Sequence, residues 1–238
     1  MVPKGPHVKD VFMNEETGLL SIGKTSRSIL FMECSTIDVT TSLEVRKAAT
    51  ELGHRFVDAP VSGGVNGAYQ ASLTFMIGGS SELFADVLPV AKAMGKEENI
   101  YHCGGAGAGL ATKQINNYLS ACCIIATSEA FNTGIRYGLD PKTLANVINV
   151  STGMNYNSSF QNPIKGVTST SAASKDFEGG FSIELCKGVV EMAVDLGKQV
   201  GAKSLLSDIV VDSLTAAAED PRCKGKDCRS FYRWLADV

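Results

Sequence analysis

The sequence is short of several things. It has no block of lysines and arginines: 22 basic residues stand against 25 acidic ones, for a net charge of −3 over 238 residues. That balance leaves no electrostatic footprint for nucleic acid and no basic amphipathic face for a membrane surface. No apolar run approaches the roughly 20 residues that span a bilayer, and no signal peptide precedes the first strand-like segment. The three histidines, His7, His54 and His102, are dispersed, share no ligand spacing, and read as structural or solvated. Seven cysteines is an odd number. Cys34, Cys103, Cys122, Cys123, Cys186, Cys223 and Cys228 stand mostly among apolar neighbours, which favours reduced, buried thiols over a disulfide framework. Cys223 and Cys228 have no second pair or nearby histidine, too few ligands for a closed zinc site. With 44% apolar and 20% charged residues, the chain is an ordinary globular one, long enough to bury a sizeable core and directed at small-molecule chemistry or protein contacts.

Up to Gly104 the pattern alternates. "ILFMEC" at 29–34 reads as a buried parallel strand opening into a loop at Ser35 and Thr36. Residues 40–52 repeat apolar positions at helical spacing and stop at Gly53, a residue suited to the position after a helix end. "RFVDAP" resumes a strand that ends at Pro60, and "SLTFMIGG" at 72–79 is another. "SSELFADVLPVAKAMG" predicts a helix with a serine N-cap, kinked at Pro89. "NIYHCG" is the last strand, and the alternation is that of an open α/β sheet. Beyond residue 109 helical spacing runs almost without interruption, predicting helices at 110–137, 141–150, 181–200, 204–219 and 226–237, with loop between Ser159 and Phe181. The expected division is 1–109, carrying strands, and 110–238, all helical.

"GGAGAGLATKQINN" at 104–117 looks like a phosphate-cradling loop and fails as one. The dinucleotide fingerprint needs a third glycine in the sixth place, and Leu110 or Thr112 stands there. Gly109, Lys113 and Asn117 are instead four residues apart, so they share one helix face. A lysine and an amide on one face can hold an alcohol oxygen while hydride leaves its carbon, with the lysine as proton acceptor once its pKa of about 10.4 is lowered. The alternative is a solvated lysine beside a capping asparagine. "DAPVSGGVNGA" at 58–68 places Ser62, Gly63 and Gly64 after a strand, where a hydroxyl and two backbone N–H groups can converge on a carboxylate, or simply make a tight turn.

These two segments carry a resemblance. "DAPVSGGVNGAYQASLTFMIGG" followed by "GAGAGLATKQINN" resembles the β-hydroxyacid dehydrogenases, whose substrate segment reads D-A-P-V-S-G-G and whose catalytic segment reads G-x-G-x-x-x-K-x-x-x-N. "ECSTID", "EAFNTGIRYGLDPKTL" and the long loop "NPIKGVTSTSAASKDFEGGF" look most like the branch acting on 3-hydroxyisobutyrate. The resemblance covers essentially the whole chain. It implies a partial Rossmann-like domain followed by a helical domain like that of 6-phosphogluconate dehydrogenase. It implies Lys113 as catalytic lysine with Asn117 as partner, and Ser62, Gly63 and Gly64 on the substrate carboxylate. It implies Val2, Pro3, Thr36 and Lys187 as cofactor contacts. NAD is the implied cofactor, with NADP left open. The implied reaction gives methylmalonate semialdehyde in valine breakdown, in the mitochondrial matrix of a eukaryote and otherwise in the cytoplasm. A homodimer or homotetramer through the helical domain follows from the same resemblance.

The chain also departs from the family pattern. It opens at "MVPKGPHV", which lines up well inside the Rossmann domain, so the glycine fingerprint has no counterpart. Gly188 follows Lys187 where the family has aspartate, and Ala71 replaces a glycine of the substrate segment. Two alternatives stay open: a related short-chain hydroxyacid dehydrogenase or glyoxylate or semialdehyde reductase, and a non-catalytic dimerisation or binding protein. The acyl pocket would decide the substrate, with Phe231 and Trp234 as candidates to line it.

Overall fold

Phe56 and Val57 are neighbours on a strand, and each is buried on a different face of a sheet, as the two-residue strand period requires. The computed structural model describes Met1 to Val238 and divides into two units, Met1–Ile115 and Asn116–Val238. The first contains, in order, α1 (Gly5–Met13), β1 (Leu30–Glu33), α2 (Val39–Glu51), β2 (Arg55–Asp58), β3 (Val61–Ser62), α3 (Gly64–Tyr69), β4 (Leu73–Gly78), α4 (Ser81–Lys92) and β5 (Gly95–Gly104). Helix α5 (Ala108–Tyr137) runs from the first unit into the second. The second adds α6 (Pro141–Asn149), α7 (Tyr156–Ser159), α8 (Ile183–Gln199), α9 (Ser207–Glu219) and α10 (Phe231–Ala236).

The first unit is a three-layer sandwich. One core joins Val8 and Phe12 of α1, Val45 and Ala49 of α2, Phe56, Ile37 and Leu110. The other joins Val57, Phe75, Ile77 and Ile100 to Val87 and Ala91 of α4. Each such Val, Leu, Ile or Phe side chain contributes about 1.5–3 kcal/mol when fully buried. The expected serine cap of α4 is Ser80, which accepts from the Leu83 amide at 3.3 Å, and Asp38 caps α2 by accepting from the Thr41 amide at 2.7 Å. Gly53, at φ +82°, follows α2. Helix α4 contains Pro89 in its last turn.

The sheet of this α/β unit is mixed. β1 and β2 are parallel and β4 and β5 are parallel, but β2 and β3 both run antiparallel to β4. Only the six-residue α3 separates β3 from β4, too little chain for the crossover that parallel neighbours need. Arg55–Ser62 is therefore one arm of a hairpin, broken at Ala59 and Pro60. Pro60 has no N–H to give the ladder, though its carbonyl still accepts from the Met76 amide at 3.1 Å.

The second unit is helical, around Ala121, Ile124, Ile183, Val190, Val210, Leu214 and Phe231. Asp140 caps α6 by accepting from the Thr143 amide at 2.8 Å, with Pro141 in the first turn. The helix expected at 226–237 is shorter: a 3₁₀ turn at Cys228–Ser230 leads into the six-residue α10. Phe231 is 1% exposed in the helical core, so it packs rather than lining a pocket, and Trp234 packs against it at 5.3 Å between ring centroids.

Candidate active site

The start of α5 is built around a buried carboxylate. Asp58, at the end of β2, accepts from the Gly107 amide at 2.7 Å and the Leu110 amide at 2.9 Å, satisfying two of the N–H groups that a helix N-terminus leaves without partners. The glycines of "GGAGAG" answer to that approach. A Cβ on Gly109 would lie 2.3 Å from the Met76 carbonyl oxygen and 2.9 Å from Asp58, and one on Gly107 would strike Val39 at 2.8 Å. They serve close packing of helix on strand ends.

Lys113 follows Gly109 by one turn. It is 8% exposed, and burial alone lowers its ammonium from 10.5 to about 8, because desolvation penalises the charged form and no neighbouring charge contributes. The solvated-lysine alternative does not describe this residue. Asn117 lies one further turn along and is half-buried, its Oδ1 within 3.4 Å of the Asn116 amide nitrogen.

The register places Glu33 opposite Asp58, so the loops after β1 and β2 leave the same end of the sheet. The ends of parallel strands are where open α/β sheets hold ligands. Glu33 accepts from the Ser35 amide at 2.7 Å, and Ser35 accepts from the Val2 amide at 2.7 Å. Val2 and Pro3 are thereby tied to the segment that carries Thr36. Thr36 is half-buried between anchored neighbours, and the second oxygen of Glu33 is buried without a partner. A polar loop of this kind fits the amide-bearing nicotinamide end of a dinucleotide.

Ser62 is half-buried at the hairpin end, paired with Thr74, and Gly63 and Gly64 are exposed at φ +136° and +62°. Ala71, in the turn that closes the same hairpin, takes φ +47°. That region strains any residue with a Cβ, which explains physically why a glycine suits the position. Lys187 lies on α8 in the second unit, with Glu191 one turn on at 3.5 Å, so a carboxylate meets this lysine although Gly188 follows it.

Sequence reasoning assigned no role to Asp58 or to Gln114. Gln114 is 1% exposed and its Nε2 donates to the Ile37 carbonyl at 2.8 Å. Asp58 stands in the quoted "DAPVSGG", but its partners are 49 and 52 residues away.

Two family profiles match. The NAD binding domain of 6-phosphogluconate dehydrogenase covers residues 1–105. The NAD-binding profile of NADP-dependent 3-hydroxyisobutyrate dehydrogenase covers 107–235. Among curated relatives, human mitochondrial 3-hydroxyisobutyrate dehydrogenase is 40% identical over 219 residues, 90% of this chain and 63% of that protein. An NAD-dependent L-serine dehydrogenase of Pseudomonas aeruginosa is 39% identical over 215 residues, 90% of this chain and 68% of that protein. The chain thus spans about two thirds of their length. A Mycobacterium tuberculosis 3-hydroxyisobutyrate dehydrogenase, solved with L-serine, superposes with a TM-score of 0.88 at 35% identity, over 99% of this chain and 77% of that one.

Proposed function

The chain belongs to the β-hydroxyacid dehydrogenase family that includes the 3-hydroxyisobutyrate dehydrogenases, and from that premise we propose that it oxidises 3-hydroxyisobutyrate with Lys113 as proton acceptor. The observation that carries the reading is the buried Lys113 amine, lowered to about 8 by desolvation and held one turn from Asn117. A nicotinamide dinucleotide, when bound, supplies the hydride acceptor. Lys113 Nζ in its neutral form takes the hydroxyl proton as the alcohol carbon becomes a carbonyl carbon. The Asn117 amide holds the oxygen through that change, and Ser62 with the Gly63 and Gly64 amides holds the carboxylate. Val2, Pro3, Thr36 and Lys187 are the residues that would hold the cofactor, NAD in this reading.

A second reading takes L-serine as the substrate, because a relative of almost equal identity is named for it and the solved relative was described with it. Both compounds are short 3-hydroxy acids, so Lys113 keeps one role in either case. In the helical unit, Leu119, Tyr137, Val150 and Phe160 are exposed, which supports a homo-oligomer through that unit. Titration of the 238-residue chain with NADH, followed by turnover with 3-hydroxyisobutyrate and with L-serine, tests the proposal. Saturable binding with faster turnover of the first supports it. Faster turnover of serine moves the substrate, and no turnover of either by the NADH-binding chain removes the catalytic reading.

A further inference from the structure

Gln114 is a glutamine where a leucine would serve a core better. It lies one turn from Leu110 on the same helix face, and Leu110 and Ile37 belong to one apolar cluster. A primary amide is costly to bury unless its polar atoms find partners. Here the Nε2 spends a hydrogen on the Ile37 carbonyl, 77 residues away in sequence, at 2.8 Å.

The location gives that bond its meaning. Ile37 is the residue after Thr36, in a loop of five residues, Cys34 to Asp38, pinned along its length. Ser35 is tied to Glu33 and to Val2, and Asp38 caps α2. Those anchors come from the strand, the N-terminal segment and the following helix. The bond from Gln114 comes from α5, and it springs from the residue next to Lys113. We propose that Gln114 is a positioning residue that fixes the Thr36 loop against the turn of α5 carrying the Lys113 amine. The cofactor-contacting loop and the proton acceptor are then held as one piece. This rests on the reading that Lys113 and Thr36 serve one reaction.

The test compares the full chain with Gln114→Met, which keeps the volume and removes the donor, and with Gln114→Glu, which keeps the shape and sets an acceptor against a carbonyl. Two quantities are read: melting midpoint, and affinity for NADH by nicotinamide fluorescence. Losing one buried hydrogen bond corresponds to roughly a tenfold change in an equilibrium. The Kd for NADH should therefore rise about tenfold in both variants, while the melting midpoint of Gln114→Met falls only by the few degrees that one hydrogen bond accounts for. A lower melting midpoint with unchanged NADH affinity in both variants overturns the proposal and makes Gln114 a packing residue. If the parent chain binds no NADH, the reading of the site fails and takes the proposal with it. If the parent binds and the variants bind equally well, only the proposal fails.

Discussion

Each unit clasps a buried aspartate with a glycine-rich segment, and the two clasps are built differently. Asp58 is 2% exposed, takes the Gly107 and Leu110 amides, and lies against Gly78 and Gly109. Asp227 is also 2% exposed, takes the Phe181 and Arg229 amides, and leaves Gly180 no room for a Cβ, which would lie 2.4 Å from its Oδ2. Asp227 has a counter-ion, the Arg229 guanidinium at 3.2 Å, itself held by Asn157 at 3.1 Å. Asp58 is held by the start of a helix. Charge is neutralised on the spot in the helical unit. In the first unit the aspartate satisfies backbone N–H groups and steers the helix that carries an uncompensated lysine. The first arrangement is one of support and the second one of placement.

The largest effect expected of that difference is on turnover. Lys113→Met should lower kcat by about a hundredfold to ten-thousandfold, the usual worth of a positioned acid or base. In the parent chain kcat/KM should rise tenfold per pH unit up to about pH 8 and level above it; a profile flat from pH 6 to 9 would take the proton-acceptor role away from Lys113.

Next in size are the two aspartates. Asp227→Ala strands Arg229 in a buried site and should cost about 3–5 kcal/mol in chemical denaturation. Asp58→Ala leaves two helix amides without an acceptor and should cost about 2–3 kcal/mol. Equal losses in the two variants would erase the distinction drawn above.

Lys113 then offers a test of opposite sign. The unfolded chain keeps the proton up to about pH 10.5, and the folded one gives it up near pH 8. The burial penalty is therefore full below pH 8 and fades as the pH climbs to 10.5. Lys113→Met should be more stable than the parent at pH 7, by on the order of 3 kcal/mol, and the gain should shrink to nothing near pH 10.5. A gain that does not change with pH would mean improved packing instead of relieved charge.

The smallest effect concerns backbone strain. Ala71 and Phe177 both take positive φ, at 47° and 62°. Ala71→Gly should stabilise by roughly 0.5–1 kcal/mol, since Ala71 is exposed and loses only strain. Phe177→Gly should destabilise, because the ring is 4% exposed and lies under Arg233 at 4.8 Å.

Much of this was legible in the residues. Ser80 and Asp140 announce their helices because a capping side chain acts within three residues of itself. Lys113 and Asn117 could be paired because helical spacing is local. Ala71 was marked by a missing glycine before its φ was known. The limits have a common physical form. Asp58 finds its partners across 49 residues or more and Gln114 across 77, and nothing in a local window tells a buried amide from a solvated one. The hairpin is not legible because β3 has two residues and α3 six, lengths at which no periodicity can develop, so the sequence shows two successive strands and not their direction. The C-terminal helix starts later than expected because Asp227 is drawn to the Phe181 amide, 46 residues away, and a 3₁₀ turn at Cys228–Ser230 precedes α10.

The seven thiols add a consequence of their own. Cys186, Cys223 and Cys228 are buried in the helical core, where a hydrogen bond with Cys186 and then burial raise the Cys228 thiol and burial raises that of Cys223, while Cys34, Cys103, Cys122 and Cys123 remain partly accessible. An aromatic disulfide reagent should label the accessible group promptly and wait for an opening event before reaching the other three. The slow phase is then a clock for the helical unit. Cys34, half-buried after β1 and pushed up to about 11 chiefly by burial, should be the slowest of the accessible group, because so little of it is thiolate at neutral pH.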